Sequence, residues 1–308
     1  MAEVKVERTK KKQLGQFMTP IDKCRRILQD IVFTKEDKIL EPSFGCGNFI
    51  ITLIEKFIEI YDGTIEEKLD IILSNNIFGV EFDEVQYQLC LNNIKSKWGY
   101  LPTKHNLVLS DYFLYENPVS GFDWIIGNPP FGGTLNPIFQ DSWEKKWGWR
   151  LGQKIKKETY SFFMIKSVEA LKPNGSLIFI SSDTFLTIKT MKGLRMFLFD
   201  EGFNSVEKLE NFSEETDYPM TVLTHKRGLK KNFIIVNSVE VPKENMDKTD
   251  KMLLAASVVT FGLSVAGACL GIFPLMLIPV SIWAIAPWFV WIKGDAQNRV
   301  TTIHLKSF

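Results

Sequence analysis

The chain has 308 residues, enough for one large domain and a smaller second unit. Its 37 basic and 36 acidic residues leave a net charge of +1, which excludes a protein that attracts polyanions through a global basic field. The four cysteines lie far apart without metal-ligand spacing, so we interpret them as reduced thiols rather than disulfides or a zinc site.

Strand-like apolar runs alternate with helical patterns from about residue 13 to residue 240. Strands are predicted at 38–40, 77–82, 107–109, 124–126 and 176–180, followed by antiparallel strands at 222–223 and 233–236. Helices are predicted at 49–61, 84–97 and 159–171. This alternation predicts an α/β fold with a doubly wound, mostly parallel sheet, in which ligands bind beyond the carboxyl ends of the strands.

Residues 252–292 differ from the rest of the chain because they include no charged residue. A helix of about 20 residues crosses a hydrocarbon core of about 30 Å, so this stretch is long enough for two crossings. Flanking lysines and clustered tryptophans favour a membrane hairpin with cytoplasmic ends, and the alternative is a buried helical pair in a soluble core. We therefore predict a cytoplasmic α/β domain over 1–245 and an apolar helical hairpin, a candidate membrane anchor, over 246–308.

A glycine-rich stretch, Glu41 to Phe49, joins the first predicted strand to the first helix. Gly45 and Gly47 would let the backbone pass close to a ligand, and the helix N-terminus offers free N–H groups. Tight turns favour glycine in any case, so this motif alone is weak evidence.

Acidic residues end the next two predicted strands. An acid in the position of Glu81 hydrogen-bonds ribose hydroxyls in dinucleotide-type folds, and Asp111 could accept from the amine of an adenine. The alternative is that these are solvated acids without a ligand, which are common at strand ends. Three successive strands with suitable polar ends nevertheless favour a ligand that contains adenosine.

The sequence GNPPFGG, residues 127–133, follows the fourth predicted strand. The Asn128 side chain and the Pro129 carbonyl offer two acceptors, and the prolines supply no competing N–H. Phe131 could stack on a flat ring, and the glycines leave room for it. This combination predicts a site for the exocyclic amine of a nucleobase and, with an adenosine-type cofactor, methyl transfer.

These motifs resemble the gamma group of amino-methylating DNA methyltransferases from restriction–modification systems, which make N6-methyladenine. That group carries a "TP" element, a glycine-rich cofactor loop, a ribose acid, an adenine acid and "NPPY" or "NPPF", in that order. The same order occurs here as QFMTP at 16–20, the stretch 41–49, Glu81, Asp111 and NPPF at 128–131. The similarity covers roughly residues 13–235.

The resemblance implies that the cofactor is S-adenosylmethionine. The residues implied to contact its methionine half are Thr19, Pro20, Glu41, Ser43, Gly45 and Gly47. Glu81 would hold the ribose, Phe82 would pack on the adenine and Asp111 would contact the adenine amine. Asn128, Pro129 and Phe131 would bind a target adenine flipped out of DNA, with Phe212 a weak candidate for a second stacking ring.

The stretch 141–157 contains three tryptophans together with lysines and an arginine. It is either a loop that contacts DNA phosphates and bases or a solvated helix with buried indoles. The sequence leaves both interpretations open.

The chain departs from the family pattern after residue 245. Members of the group carry a long C-terminal target-recognition domain, whereas the apolar stretch begins here at residue 252. A separate specificity partner is one expectation. Two other classes of function also stay open: a methyltransferase acting on protein glutamine, which the early "TP" element disfavours, and a membrane-attached protein with a degenerate methyltransferase fold, which the intact Glu81, Asp111 and Asn128 disfavour.

Overall fold

One large β-sheet organises the chain. The computed structural model describes residues 18–130, 140–182, 185, 188–209, 220–237 and 239–242. The nine strands of this sheet are β1 (Ile39–Glu41), β2 (Ile77–Glu81), β3 (Asn106–Leu109), β4 (Phe122–Gly127), β7 (Leu171–Ser182), β8 (Phe203–Leu209), β9 (Met220–Lys226), β10 (Phe233–Val236) and β11 (Val239–Pro242). A separate two-stranded hairpin is formed by β5 (Trp149–Arg150) and β6 (Gln153–Lys154).

The strands of the large sheet lie in the order β3-β2-β1-β4-β7-β9-β8-β10-β11. Five neighbouring pairs are parallel and three are antiparallel. The chain winds outward from β1 through β2 to β3, and it then returns to place β4 on the other side of β1. The prediction of a doubly wound, mostly parallel sheet is confirmed.

Apolar side chains lie on both faces of the sheet because side chains alternate along each strand, and helices cover both faces. Leu40 and Ile125 join one apolar cluster, whereas Ile39 and Ile126 join the other. The helices that cover the sheet are α1 (Ile21–Leu28), α2 (Asn48–Ile58), α3 (Ile65–Ile71), α4 (Glu84–Trp98), α5 (Gln140–Trp147), α6 (Thr159–Ala170) and α7 (Lys192–Glu201). Residues of α1 to α4 belong to one cluster and residues of α5 to α7 to the other.

The helices begin and end at residues suited to those positions. The Asp83 carboxylate accepts from the N–H groups of Val85 (2.9 Å) and Gln86 (3.2 Å) and so caps α4, which ends at Gly99 with φ +74°. A capping box between Thr64 and Glu67 starts α3. A π-helical turn at Ile72–Asn76 then connects α3 to β2.

The strands and helices predicted between residues 38 and 180 are all present, with shifted ends. β9 is antiparallel to both of its neighbours, as predicted, whereas β10 is parallel to β8 and antiparallel to β11. The sequence patterns missed α7, which contains a glycine in its first turn. A Cβ at Gly193 would lie 2.3 Å from the Lys154 carbonyl oxygen, so glycine is needed for α7 to pack against the hairpin.

The predicted hairpin over 252–292 and the predicted boundary at 245 lie outside the described residues. Within the described ranges, no helix has both the length and the apolar composition required to cross a bilayer. The hairpin therefore stays a prediction.

Candidate active site

The carboxyl ends of β1, β2, β3 and β4 lie side by side, and we call this region the carboxyl edge. It comprises Glu41–Asn48, Glu81–Asp83, Ser110–Tyr115 and Asn128–Pro130. The strand order reverses between β1 and β4, and a parallel sheet opens a crevice where its order reverses. Most of the residues predicted to carry the chemistry therefore meet at the place where such folds bind ligands.

The glycine-rich stretch forms a tight turn from β1 into α2. Gly45 and Gly47 have φ values of +54° and +88°, a left-handed conformation that favours glycine. A Cβ at Gly47 would lie 2.3 Å from the Cys90 sulfur, so this glycine also permits close packing on α4. At Gly45, a Cβ would lie 3.3 Å from the Met18 sulfur, which places Met18 beside the turn.

Two buried carboxyl groups lie beneath this turn. Glu81 is 5% exposed, and it accepts hydrogen bonds from the N–H groups of Gly45 (2.7 Å) and Asp83 (2.8 Å). Glu41 is 2% exposed, and its Oε2 has no hydrogen-bond partner among the described residues. Burial is the main cause that raises the pKa of both groups, and for Glu41 the neighbouring Glu81 raises it further.

This pair of carboxyl groups fits the cofactor predicted from the sequence. S-adenosylmethionine carries an ammonium group, a sulfonium centre and ribose hydroxyls, all of which interact favourably with carboxylate oxygens. The Glu81 carboxylate accepts these two hydrogen bonds, and a carboxylate can accept about four hydrogen bonds in total. Glu41 retains a buried oxygen that lacks a donor within the described part of the chain, and such an atom costs free energy until a ligand supplies one.

Asp111 and Phe82 lie on the β2–β3 side of the carboxyl edge. The Ser110 N–H donates to the Glu81 carbonyl at 2.8 Å, which joins the ends of the two strands. Asp111 is half-buried and its Oδ1 accepts from the Phe113 N–H at 2.8 Å, while burial raises the pKa of its carboxyl. The Phe82 side chain is 64% exposed, so its ring is accessible for stacking.

Asn128 is tied to the other motifs by two hydrogen bonds. Its side-chain Nδ2 donates to the Thr19 hydroxyl at 3.2 Å, and its backbone carbonyl accepts from the Ser43 hydroxyl at 3.2 Å. Thr19 is itself fixed, because its carbonyl accepts from Asn48 Nδ2 at 2.7 Å. The amide nitrogen therefore points at Thr19, and the amide oxygen lies on the opposite side of the group.

The structure brings most of the predicted residues together at this edge. Contacts or direct chain neighbours connect Thr19, Pro20, Glu41, Ser43, Gly45, Gly47, Glu81, Phe82, Asp111, Asn128 and the buried Pro129. Phe131 and Phe212 lie outside the described residues, so their predicted stacking roles stay predictions.

Sequence reasoning gave no role to Met18, Asn48 or Lys166, which also contact this region. Met18 and Asn48 stand inside the quoted motifs, where their position next to assigned residues was an available signal. Lys166 lies on α6, far along the chain, and no local pattern points to it.

The tryptophan segment, residues 140–157, is built mainly as a packed structural unit. Trp143 and Trp147 are 5% and 1% exposed, and Trp147 Nε1 donates to the Glu169 carboxylate at 3.0 Å. Lys157 pairs with Glu144 at 2.6 Å. Of the two interpretations left open, the helix with buried indoles applies to Trp143 and Trp147. Trp149 is 61% exposed.

Comparisons with known proteins point to one class. The family described as "Eco57I restriction-modification methylase" matches residues 88–216. Type II methyltransferase M.HincII of Haemophilus influenzae is 27% identical over 250 residues, covering 80% of this chain and 43% of that protein. Type II methyltransferase M.TthHB8I of Thermus thermophilus is 31% identical over 235 residues, covering 71% of this chain and 46% of that protein.

A solved structure shares the fold. A modification subunit of a putative type I restriction enzyme from Vibrio vulnificus YJ016 has a TM-score of 0.59 and 18% identity, covering 76% of this chain and 50% of that one. The chain spans less than half the length of the two curated relatives. The predicted resemblance to methyltransferases of restriction–modification systems is confirmed.

Proposed function

From this confirmed resemblance, we propose that the chain is the catalytic part of a restriction–modification methyltransferase that methylates the N6 amine of adenine in DNA. The observation that carries the proposal is the hydrogen bonding of Asn128 to Thr19 and Ser43. These bonds connect three segments that are distant in the chain and hold the NPP turn beside the cofactor loop. An amide held there can act on a group next to the cofactor.

The cofactor is S-adenosylmethionine, as predicted, because the family match and the fold are those of methyltransferases that use it. We propose that Glu41 accepts from its ammonium group, since Oε2 is buried without a donor among the residues that the structure describes. Glu81 would accept from the ribose hydroxyls with its remaining lone pairs. Phe82 would cover the adenine, and Asp111 would accept from the adenine amine with Oδ2.

Asn128 and Pro129 would act on the target amine. An adenine amine is a poor nucleophile because its lone pair is delocalised into the ring. Accepting its hydrogens at Asn128 Oδ1 and the Pro129 carbonyl would localise that pair. The bound cofactor supplies the methyl group: the N–CH₃ bond forms as the S–CH₃ bond breaks, S-adenosylhomocysteine leaves and one amine proton passes to solvent. Positioning and electrostatics supply the rate enhancement in such a site.

The hydrogen bond to Thr19 gives this assignment a structural basis. The Asn128 amide nitrogen donates to the Thr19 hydroxyl, and in this orientation the side chain presents its oxygen as an acceptor. We propose that Thr19 helps to hold the residue that binds the target. An unrestrained amide could rotate and present donors, which would not bind an amine.

The proposed substrate is a base flipped out of the duplex, since a stacked adenine cannot reach the carboxyl edge. Flipping costs a few kcal/mol, and stacking on Phe131, about 1–3 kcal/mol per base, would offset much of it. DNA is the proposed partner. The target-recognition function would come from protein beyond this α/β domain or from a separate specificity partner.

The two other classes are less well supported. The matched family is described as a restriction-modification methylase and the two curated relatives are named type II methyltransferases, which favours DNA over a protein glutamine as substrate. Asn128 is hydrogen-bonded, and the Glu41 oxygen has no donor in the described ranges. Both observations favour retained chemistry over a degenerate fold.

The experiment is incubation of the full chain with labelled S-adenosylmethionine and unmethylated DNA, followed by nucleoside analysis. We expect N6-methyladenine, and we expect no product from Glu81→Ala, which loses the ribose acceptor. Methylated cytosine or methylglutamine would refute the adenine assignment. Equal product from Glu81→Ala and the wild-type chain would refute the cofactor site.

A further inference from the structure

The turn that carries Asp111 is held from a neighbouring helix. Within the turn, the Asp111 carbonyl accepts from the N–H groups of Leu114 and Tyr115, both at 3.0 Å. The Tyr112 carbonyl accepts from the Tyr115 N–H at 3.2 Å, and both the Tyr112 and the Tyr115 carbonyls also accept from outside the turn. The position of the Asp111 carboxylate therefore depends in part on what binds those two carbonyls.

Lys166 binds both of them. Its Nζ donates to the Tyr112 carbonyl in a short hydrogen bond and to the Tyr115 carbonyl at 2.7 Å. The ammonium also lies 4.6 Å from the centroid of the Tyr112 ring. The next residue of α6, Ser167, shares a 3.1 Å hydrogen bond with the Tyr112 hydroxyl. Two adjacent side chains thus fix the backbone and the ring of the same turn.

The charges around Lys166 make this contact sensitive to pH. Burial, followed by the nearby Lys146, lowers the pKa of Lys166 to about 8, while Asp111 and Glu116 oppose the shift. Tyr112 and Tyr115 also face it, and burial raises the pKa of both phenols, so neither becomes charged near that pH. Among these groups, the Lys166 ammonium is the one expected to lose its charge just above neutral pH.

We propose that Lys166 is a positioning residue for the adenine end of the cofactor: its ammonium holds the Asp111 turn so that Asp111 faces the adenine amine. The inference rests on the proposed function. Lys166 does not touch the cofactor, and it acts through the Tyr112 and Tyr115 carbonyls. A charged donor is needed because a hydrogen bond from a charged group is about twice as strong as one from a neutral group.

The test is calorimetric titration of the full chain with adenosine, which contains the adenine and ribose but no amino-acid group that titrates near neutral pH. Affinity should fall as pH rises from about 7 through about 8, where Lys166 loses its charge. Lys166→Met, which keeps the length without the charge, should bind roughly tenfold more weakly and show no such fall. Lys166→Arg should restore binding at alkaline pH.

Lys172→Met is the matched control. Lys172 is also half-buried and donates to Asp123 at 2.7 Å, at the opposite end of β4 from Asn128. This variant should keep the adenosine affinity and its pH profile. A merely structural Lys166 would lower the unfolding midpoint in Lys166→Met yet leave the affinity and the pH profile of the folded protein unchanged, which would overturn the inference.

The failure of the proposed function would look different. A wild-type chain that binds neither adenosine nor S-adenosylmethionine would refute the cofactor site and the positioning role with it. A wild-type chain that binds both, with Lys166→Met behaving identically, would refute only the role of Lys166.

Discussion

The carboxyl edge and the tryptophan segment both contain unusual residues for their position, but they differ in how their polar groups are satisfied. At the carboxyl edge, Glu41 is buried with an oxygen that lacks a donor among the described residues. In the tryptophan segment, Trp147 Nε1 donates to Glu169 and Lys157 pairs with Glu144. Since an unsatisfied buried group is costly, we propose that the first region is arranged for a ligand and the second for its own stability.

The largest change in stability that would test this difference between the two regions is expected from a substitution at Trp147. Removing its buried indole in Trp147→Ala should lower the free energy of unfolding by about 3–5 kcal/mol, because it leaves a cavity between α5 and α6. Trp147→Phe should cost less, since it keeps a six-membered ring and loses the pyrrole part of the indole with its hydrogen bond to Glu169. Denaturant unfolding monitored by circular dichroism measures both variants.

Trp149→Ala provides the control in the same segment, since Trp149 is 61% exposed. Its unfolding free energy should change by less than about 0.5 kcal/mol. If Trp147→Ala proved as stable as Trp149→Ala while DNA binding was lost, the segment would be a nucleic-acid surface. The distinction between the two regions would then fail.

The position of these tryptophans shows what the sequence could predict. Trp143 and Trp147 are four residues apart, the spacing of one helix face, so their shared burial was available from periodicity. The strand ends that carry Glu81 and Asp111 were also predictable, because acids followed apolar runs. The missing donor at Glu41 and the contacts of Lys166 were not, since they depend on how distant segments pack.

The fold shows the same division. Parallel strands with mainly apolar sequences, such as β2 and β4, were predicted because strands that are largely buried on both faces are rich in apolar residues. β8, with the sequence FNSVEKL, mixes polar and apolar residues and gave no clear signal. Its place in the sheet depends on pairing with β9, which is a tertiary contact.

A smaller change in stability is expected at Glu41, where one substitution should stabilise the fold and weaken cofactor binding. Burial and Glu81 raise the pKa of Glu41, so the folded chain retains a proton that the unfolded chain loses above about pH 4.5. The contribution of this group to stability therefore falls as pH rises from there toward the folded-state pKa. Glu41→Gln should raise the free energy of unfolding at neutral pH, by something of the order of 1 kcal/mol, and flatten that dependence.

The same substitution should weaken binding of S-adenosylmethionine and leave adenosine affinity nearly unchanged, because Glu41 is assigned to the methionine half. Thermal unfolding across pH and calorimetry with the two ligands measure these effects. A Glu41→Gln chain that is less stable at neutral pH, with unaltered cofactor affinity, would mean that the carboxyl is structural. The carboxyl edge would then resemble the tryptophan segment.

Asn128 offers the most direct measurement of the central claim, that this edge transfers methyl groups to an amine. In Asn128→Ala, the single-turnover rate of DNA methylation should fall about 10²–10³-fold while calorimetric affinity for S-adenosylmethionine stays close to that of the wild-type chain. Thr19→Val, which removes the hydroxyl that accepts from Asn128 Nδ2, should give a smaller loss of rate. An Asn128→Ala chain that methylates DNA at the wild-type rate would contradict the account and reduce the NPP sequence to a structural turn.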